Sequence, residues 1–304
     1  MINVENLSKK FGEKYAVRNL SFKVSKGKIW GFLGPNGAGK TTTMRILTGY
    51  LPPSEGKASV ANLDPIKDAR KLKSIVGYLP ENPPLYFDMT VDGYLNFVGK
   101  IKGVKSKNLK ERVDYSISKT GLDEVRGRLI RNLSKGYKQR VAIAQSLIHS
   151  PEVLILDEPT LGLDPAQIIE IRELIKSFKE DHTIILSTHI LAEVTQICDG
   201  VVIINEGKLV AQGELNELTS SFSDREGIFI KIRKEGAEEK KFFENFDGVK
   251  KVEKSDGGFR VEWEKGKNLK DRIIREVVIK EMGLLEVRPL SMDLEEIYLK
   301  AISQ

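Results

Sequence analysis

The stretch GPNGAGKTT at 34–42 sets three glycines, a lysine and two threonines in a spacing that suits phosphate binding. The apolar run Ile29 to Leu33 precedes it and a helical pattern from Thr41 to Leu47 follows, so strand, loop and helix come in the order this chemistry needs. Gly34, Gly37 and Gly39 let the backbone wrap closely around a β-phosphate with successive amides pointing inward, and the helix dipole adds to the pull. Asn36 and Ala38 belong to the same nucleotide-binding loop. Lys40 would sit between the β- and γ-phosphates, the Thr41 hydroxyl would ligate Mg²⁺, and Thr42 would add a phosphate contact. A glycine-rich turn ahead of an ordinary helix shares the composition but not the full spacing.

A second candidate is VLILDEPT at 153–160, where four apolar residues lead into Asp157 and Glu158. Ligands bind at the carboxyl ends of strands in open α/β sheets. Two adjacent acids there imply separate tasks. Asp157 would hold the Mg²⁺ shell through water, and Glu158 would orient or deprotonate an attacking water. Acid pairs also occur in plain turns; the phosphate loop upstream is what favours chemistry.

Short apolar runs must position these groups. Ile2 to Asn6, Leu20 to Val24, Ile29 to Leu33, Ile75 to Tyr78, Val153 to Leu156, Thr183 to Ser187 and Val201 to Asn205 read as strands alternating with helical patterns. The fold class is α/β with a mainly parallel sheet. Val91, Tyr94, Leu95 and Val98, then Leu109, Val113 and Ile117, recur at helical spacing and predict a helical insert over about residues 86–150. Glu206-Gly207 predicts a hairpin, and Glu214 to Leu218 a short closing helix. The polar segment SSFSDREG then marks a boundary, giving domains 1–219 and 220–304. In the second, strands over Ile228 to Ile232, Phe259 to Trp263 and Leu285 to Arg288 and helices over Leu269 to Ile279 and Leu294 to Ile302 predict a small α+β domain.

Charge and composition narrow the classes. Residues 220–304 carry 18 basic and 18 acidic side chains, so the net charge of +6 belongs to residues 1–219. That excess suits phosphates, an acidic partner, a lipid headgroup surface or simply a solvated face. No apolar run approaches the ~18 residues a membrane span needs, and MINVENLSKKFG lacks the pattern of a secretory signal. These features predict a cytoplasmic chain. Cys198 is the single cysteine, which excludes an internal disulfide.

Between the two phosphate motifs lies LSKGYKQR at 133–140, followed downstream by LGLD at 161–164 and STHI at 187–190. Taken in this order over about residues 1–219, the motifs resemble the nucleotide-binding subunits of ATP-binding cassette (ABC) transporters, a P-loop NTPase family. LSKGYKQR is similar to the family signature, usually LSGGQ, with Lys135 and Tyr137 as departures. The resemblance implies a head-to-tail dimer in which Ser134 and Gly136 complete the nucleotide site of a second copy. Lys135 would then either lie beside the γ-phosphate or face solvent. Asp164 would communicate across the dimer, and His189 would contact the γ-phosphate. KKFG at 9–12 resembles the segment that stacks on adenine, which makes Phe11 the better candidate and Tyr15 the second. In VGYLPEN at 76–82, Glu81 replaces the glutamine many relatives use on Mg²⁺ and the lytic water; an acid there is frequent among drug, sodium and polysaccharide exporters.

The implied fold has an antiparallel β edge and a helical subdomain beside the parallel sheet. The implied function is that of the ATP-hydrolysing subunit of an ABC-2 type exporter, taking ATP and Mg²⁺ and working with a separate multispanning permease on the inner face of the cell membrane. PPLYFDMTV at 83–91 would offer Tyr86, Phe87 and Met89 to a permease helix, or bury them under the helical insert. No nucleic acid is expected. The alternative is a soluble ABC ATPase acting on nucleic acid or ribosomes, which usually carries two cassettes or long coiled insertions.

Overall fold

The structure, a computed structural model, describes residues 1–215, 217, 218, 225–233, 236–264, 266, 267, 269–290 and 294–302. The chain divides into two compact units, Met1–Leu215 and Asn216–Ser303. Of the expected elements, the closing helix over Glu214 to Leu218 includes Asn216, and SSFSDREG begins at 220–224; both of those parts lie outside the described residues.

The first unit runs β1 (Ile2–Phe11), β2 (Lys14–Val24), β3 (Ile29–Leu33), α1 (Lys40–Leu47), β4 (Glu55–Val60), α2 (Ala69–Ile75), β5 (Val76–Leu79), α3 (Val91–Ile101), α4 (Ser106–Lys119), α5 (Lys135–Leu147), β6 (Val153–Asp157), α6 (Pro165–Lys176), β7 (Thr183–Thr188), α7 (Leu191–Ile197), β8 (Gly200–Asn205) and β9 (Lys208–Glu214). Its main sheet has the order β5-β6-β7-β3-β8-β9, parallel except for β9 against β8. Every residue of β3, β6 and β7 is buried. Parallel strands covered on both faces have no solvent side, which is why these segments are continuous apolar runs rather than alternating ones.

On one face, Met44, Ile46 and Leu47 of α1 share a core with the antiparallel sheet β2-β1-β4. On the other, Ala142, Ile143 and Leu147 of α5 pack with Ile171 and Ile175 of α6 against Leu154, Leu156, Ile184 and Leu186. The remaining face of α5, through Val141 and Ala144, belongs to a third core with Tyr94 and Leu95 of α3 and Val113 and Ile117 of α4. Helix α5 is therefore wedged between the sheet and the helical insert. Because the strands are parallel, the ends of β3, β6 and β7 open on one edge, where GPNGAGKTT, Asp157-Glu158 and His189 are brought together.

Two strands are longer than their hydrophobic pattern. β1 and β2 continue into a hairpin whose last pair is Phe11 with Lys14, closed by Gly12 at φ 56° and Glu13. Its residues are mostly solvated, so they leave no periodic trace. β4 is unanticipated for the same reason, with Glu55, Gly56 and Lys57 all exposed. The Glu206-Gly207 turn is a two-residue hairpin with both φ positive, 48° and 77°, the geometry that matches the twist of paired strands.

The second unit runs β10 (Arg225–Ile232), α8 (Ala237–Glu244), β11 (Val249–Ser255), β12 (Gly258–Glu264), α9 (Lys270–Ile279), β13 (Leu284–Pro289) and α10 (Leu294–Ile302). Its sheet has the order β11-β12-β10-β13 with all neighbours antiparallel. This is a split β-α-β arrangement. α8 and β11 are additions to the expected elements. β11 is an edge strand on which only Val252 is buried, and its lysines guard an otherwise open row of backbone groups. The core gathers Ile230, Phe243, Phe259, Trp263 and Ile273. Phe243 is wholly buried and lies 5.3 Å from the Phe259 ring. Phe243→Ala is expected to destabilise this unit by about 3–5 kcal/mol, read as an earlier unfolding transition in Trp263 emission; a shift worth less than about 1 kcal/mol would contradict this packing.

Candidate functional site

The loop between β3 and α1 forms a cradle. Gly37 and Gly39 have φ 81° and 101°, and a Cβ at Gly39 would run into the Ala16 carbonyl, so a side chain is excluded both by conformation and by space. Gly39 is the N-cap of α1 and supplies no side-chain cap, which leaves the amides of the helix's first turn free of any capping side chain. The cradle opens into a cavity of about 420 Å³. Asn36 and Gly37 of the loop, Gly39 and Lys40, Thr41 and Thr42 of α1 line it, together with Glu81, Glu158 and His189 from elsewhere in the chain. Gly34 and Ala38 are buried and serve as backbone: Gly34 N–H donates to the Thr188 carbonyl at 3.4 Å, and Gly207 N–H donates to the Ala38 carbonyl at 3.1 Å.

The buried Lys40 ammonium donates to the Gly34 carbonyl at 2.8 Å and the Pro35 carbonyl at 3.3 Å. It also stands 3.2 Å from Glu158 Oε1. The other carboxylate oxygen of Glu158 is 2.9 Å from Nδ1 of His189. One acid thus sits between the ammonium and the imidazole that line the cavity. Glu158 is itself in the left-handed region at φ 49°, rare for a residue with a Cβ and costing of order 1–3 kcal/mol. Its N–H is fixed by the carbonyl of Ser187 at 3.2 Å and the hydroxyl of Ser187 at 3.1 Å.

Asp157, the last residue of β6, is fully buried. Its Oδ1 accepts from the Ser187 hydroxyl and, at 3.4 Å, from the Thr41 hydroxyl. Burial pushes its pKa up; the Ser187 and Thr41 hydroxyls oppose this, and the negative charges of Glu81 and Glu158 add to it. Oδ2 has no hydrogen-bond partner. A buried carboxylate oxygen without a partner, beside a threonine hydroxyl and near a second acid on the cavity rim, is the donor set of a hard cation, so Thr41, Asp157 and Glu81 fit Mg²⁺. Among the described residues no three His, Cys, Asp or Glu side chains cluster as a metal cage.

Phe11 is half exposed, with the Lys9 ammonium 5.3 Å from its ring centre. It lines a neighbouring cleft of about 1190 Å³ rather than the cradle itself, and Thr42 lines both. Tyr15 lies under the charges of Lys10 and Arg18. Ser134 and Gly136 are elsewhere: they line a separate cavity of about 640 Å³ with Arg140 and Glu170. Ser134 is the N-cap of α5, its hydroxyl accepting from Tyr137 N–H at 3.3 Å, and a Cβ at Gly136 would meet the Gln167 side chain at 2.9 Å. The Lys135 ammonium rests against Gly162, where a Cβ would collide with it. Asp164 caps α6 by accepting from Gln167 N–H at 2.9 Å.

The motifs do not point to Ser187 as the hydroxyl on Asp157. The signal is its register, since Asp157 and Ser187 are paired across β6 and β7. Ala16 and Leu161, which also line the cavity, carry no such signal.

A family model described as ABC transporter matches residues 17–161. The lantibiotic transport ATP-binding protein SrtF of Streptococcus pyogenes is 40% identical over 216 residues, covering 70% of this chain and 91% of that protein. The ABC transporter ATP-binding protein YhcH of Bacillus subtilis (strain 168) is 32% identical over 305 residues, covering 99% of this chain and 95% of its own length, so the likeness extends through the second unit. Among solved structures, an ATP-binding subunit of an ABC transporter superposes with a TM-score of 0.66 at 30% identity, over 73% of this chain and 93% of that one.

The geometry at Gly39 gives a direct test of the cradle. Gly39→Ala sets a Cβ against the Ala16 carbonyl, so the loop must shift, and nucleotide affinity by fluorescent-ATP titration is expected to fall about tenfold, equivalent to about 1.4 kcal/mol. Gly27→Ala, also at positive φ but with open space around it and away from the cavity, should leave that affinity unchanged; equal losses at both positions would contradict the cradle.

Proposed function

This chain belongs to the ABC transporter ATP-binding proteins, and on that premise we propose that it is the ATPase subunit of an exporter, working as a head-to-tail pair beneath a membrane-embedded partner. The observation that carries the proposal is the separation of the two phosphate-binding elements within one chain. The cradle and the signature serine open on different cavities. A site that uses both therefore needs two copies, with Ser134 and Gly136 of one meeting the nucleotide in the cradle of the other.

In this reading the triphosphate enters along α1, and Phe11, reached past Thr42, takes the adenine. Lys40 exchanges the Gly34 and Pro35 carbonyls and Glu158 for phosphate oxygens, which are stronger, charge-assisted partners. Thr41 and Asp157, with Glu81 on the rim, would hold Mg²⁺, which when bound would supply charge neutralisation at the phosphates. Once Lys40 has left it, Glu158 is free to orient the lytic water and accept its proton. His189, with Nδ1 turned to Glu158, keeps its other ring nitrogen for the γ-phosphate. The products are ADP and phosphate.

Hydrolysis then loosens the pair. Moving a two-state equilibrium from 1:99 to 99:1 takes ~5.5 kcal/mol of differential binding, and charge-assisted hydrogen bonds supply ~1.5–3 kcal/mol each. The contacts of Ser134, Gly136 and His189 with the γ-phosphate meet that need. Among the described residues no helix is long and apolar enough to cross a membrane, so transport calls for a spanning permease, which would hold the chain at the inner membrane face. The exposed rings of Tyr86 and Phe87 beside the helical insert suit such a partner. The relative named for lantibiotic transport favours an exporter, and the transport names give no support to the alternative of a soluble ATPase on nucleic acid or ribosomes.

Glu158→Gln separates binding from turnover. The variant is expected to form an ATP-dependent dimer by light scattering while hydrolysis falls by about 10²-fold or more. A monomer at saturating MgATP would contradict the paired site.

A further inference from the structure

Two residues past Glu158, the Thr160 side chain turns away from the cavity into the interior. Thr160 is 3% exposed, and its hydroxyl donates to Oε1 of Glu193, which is 1% exposed. Glu193 stands in the first turn of α7, four residues after His189. Arg172 of α6 has Nη2 3.7 Å from the same Oε1 and donates from Nη1 to the Gln196 side chain at 2.8 Å. Oε2 of Glu193 and Nε of Arg172 are buried without a hydrogen-bond partner. A buried charge pair with part of its capacity unmet is a poor source of stability, because the desolvation cost rivals the attraction. Its location gives it another task.

Glu158 holds a left-handed backbone that persists only where its surroundings over-determine it. The segment from 158 onward is fastened at three points. The N–H of Glu158 is held by Ser187 at the end of β7, the Pro159 carbonyl accepts from Gln139 Nε2 of α5 at 2.6 Å, and Thr160 is held by Glu193. Only the third fastener belongs to the helix that follows His189. Arg172, facing the same carboxylate, belongs to the helix capped by Asp164. One buried acid thus joins the segment of Glu158, the helix behind His189 and the helix behind Asp164.

We propose that Glu193 is a positioning residue for ATP hydrolysis: by accepting the Thr160 hydroxyl and facing Arg172 it keeps Glu158 in register with His189. The proposal rests on the reading of Glu158 as the carboxylate that orients water. Neither Glu193 nor Thr160 lines the cradle, so removing their contact misplaces the base without removing a nucleotide contact. The signature of this role is a fall in kcat with ATP affinity retained.

The test uses the full chain with MgATP, measuring kcat, KM, the stoichiometry of ATP binding and the melting temperature. Thr160→Val, which keeps shape and loses the donor, is expected to lower kcat about 10- to 100-fold with KM and binding stoichiometry little changed. Thr160→Ser, which keeps the donor, should recover most of that turnover, and Glu193→Gln, which keeps an acceptor but loses the charge facing Arg172, should fall between. Wild-type kcat in both Thr160→Val and Glu193→Gln would overturn the proposal. So would a kcat loss matched by lost binding stoichiometry, or a serine variant no better than valine, since those mark a packing role alone. A Glu158→Gln chain that kept its turnover would remove the premise instead, which makes the two failures distinguishable.

Discussion

Lys40 and Glu158 form a buried ion pair at the carboxyl edge of the sheet, with the His189 imidazole on the other oxygen of the acid, and the rest of the first unit is arranged to make it. An ammonium buried as deeply as Lys40 needs an anion or several carbonyls around it. Here it has Glu158 and two carbonyls of its own loop. A triphosphate is the stronger anion, so in the proposed mechanism its arrival competes directly for Lys40 and releases the carboxylate assigned to hydrolysis. Under that proposal, binding and activation are the same exchange of partners. The parallel sheet supplies the convergence, since β3, β6 and β7 deliver loop, acids and histidine to one edge.

The price of that arrangement is local strain. Glu158 is left-handed, and the glycines of the cradle hold backbone that other residues cannot adopt there. Such geometry survives because neighbouring elements fix it from several sides. Ser187 does so twice, through its carbonyl and hydroxyl on Glu158 and through its hydroxyl on Asp157. Helix α5, packed on the sheet by one face and on the helical insert by the other, carries Gln139 to the same segment and Ser134 at its own start. In the proposed pair, α5 would therefore link the surface meeting a second copy, through Ser134, to the segment of Glu158, through Gln139.

How much of this is legible in the residues alone depends on how local the cause is. GPNGAGKTT declares its turn, its amides and its cation within nine positions, and VLILDEPT shows a buried strand running into two acids. The central strands are legible because burial on both faces makes them uniformly apolar. The solvated extension of β1 and β2, the exposed edge β11 and strand β4 leave no such pattern. In the site, Ser187 and Glu193 are not legible as partners: a serine at a strand end and a glutamate in LAEVTQI read as ordinary polar positions. Only the register of β6 on β7 and the packing of α6 against α7 bury them. Phe11 is legible as an aromatic at the right distance from the loop, but its place on the wall of the neighbouring cleft comes from the hairpin that carries it.

The central claim is that Lys40 of one copy and Ser134 of another serve the same nucleotide. It is tested most directly by mixing two inactive chains, one carrying Lys40→Ala and the other Ser134→Arg, and measuring ATP hydrolysis. A mixed pair holds one site with both defects and one with neither, so the account predicts that activity returns on mixing. Two variants that stay inactive together, although each is shown to pair with the other, would contradict it.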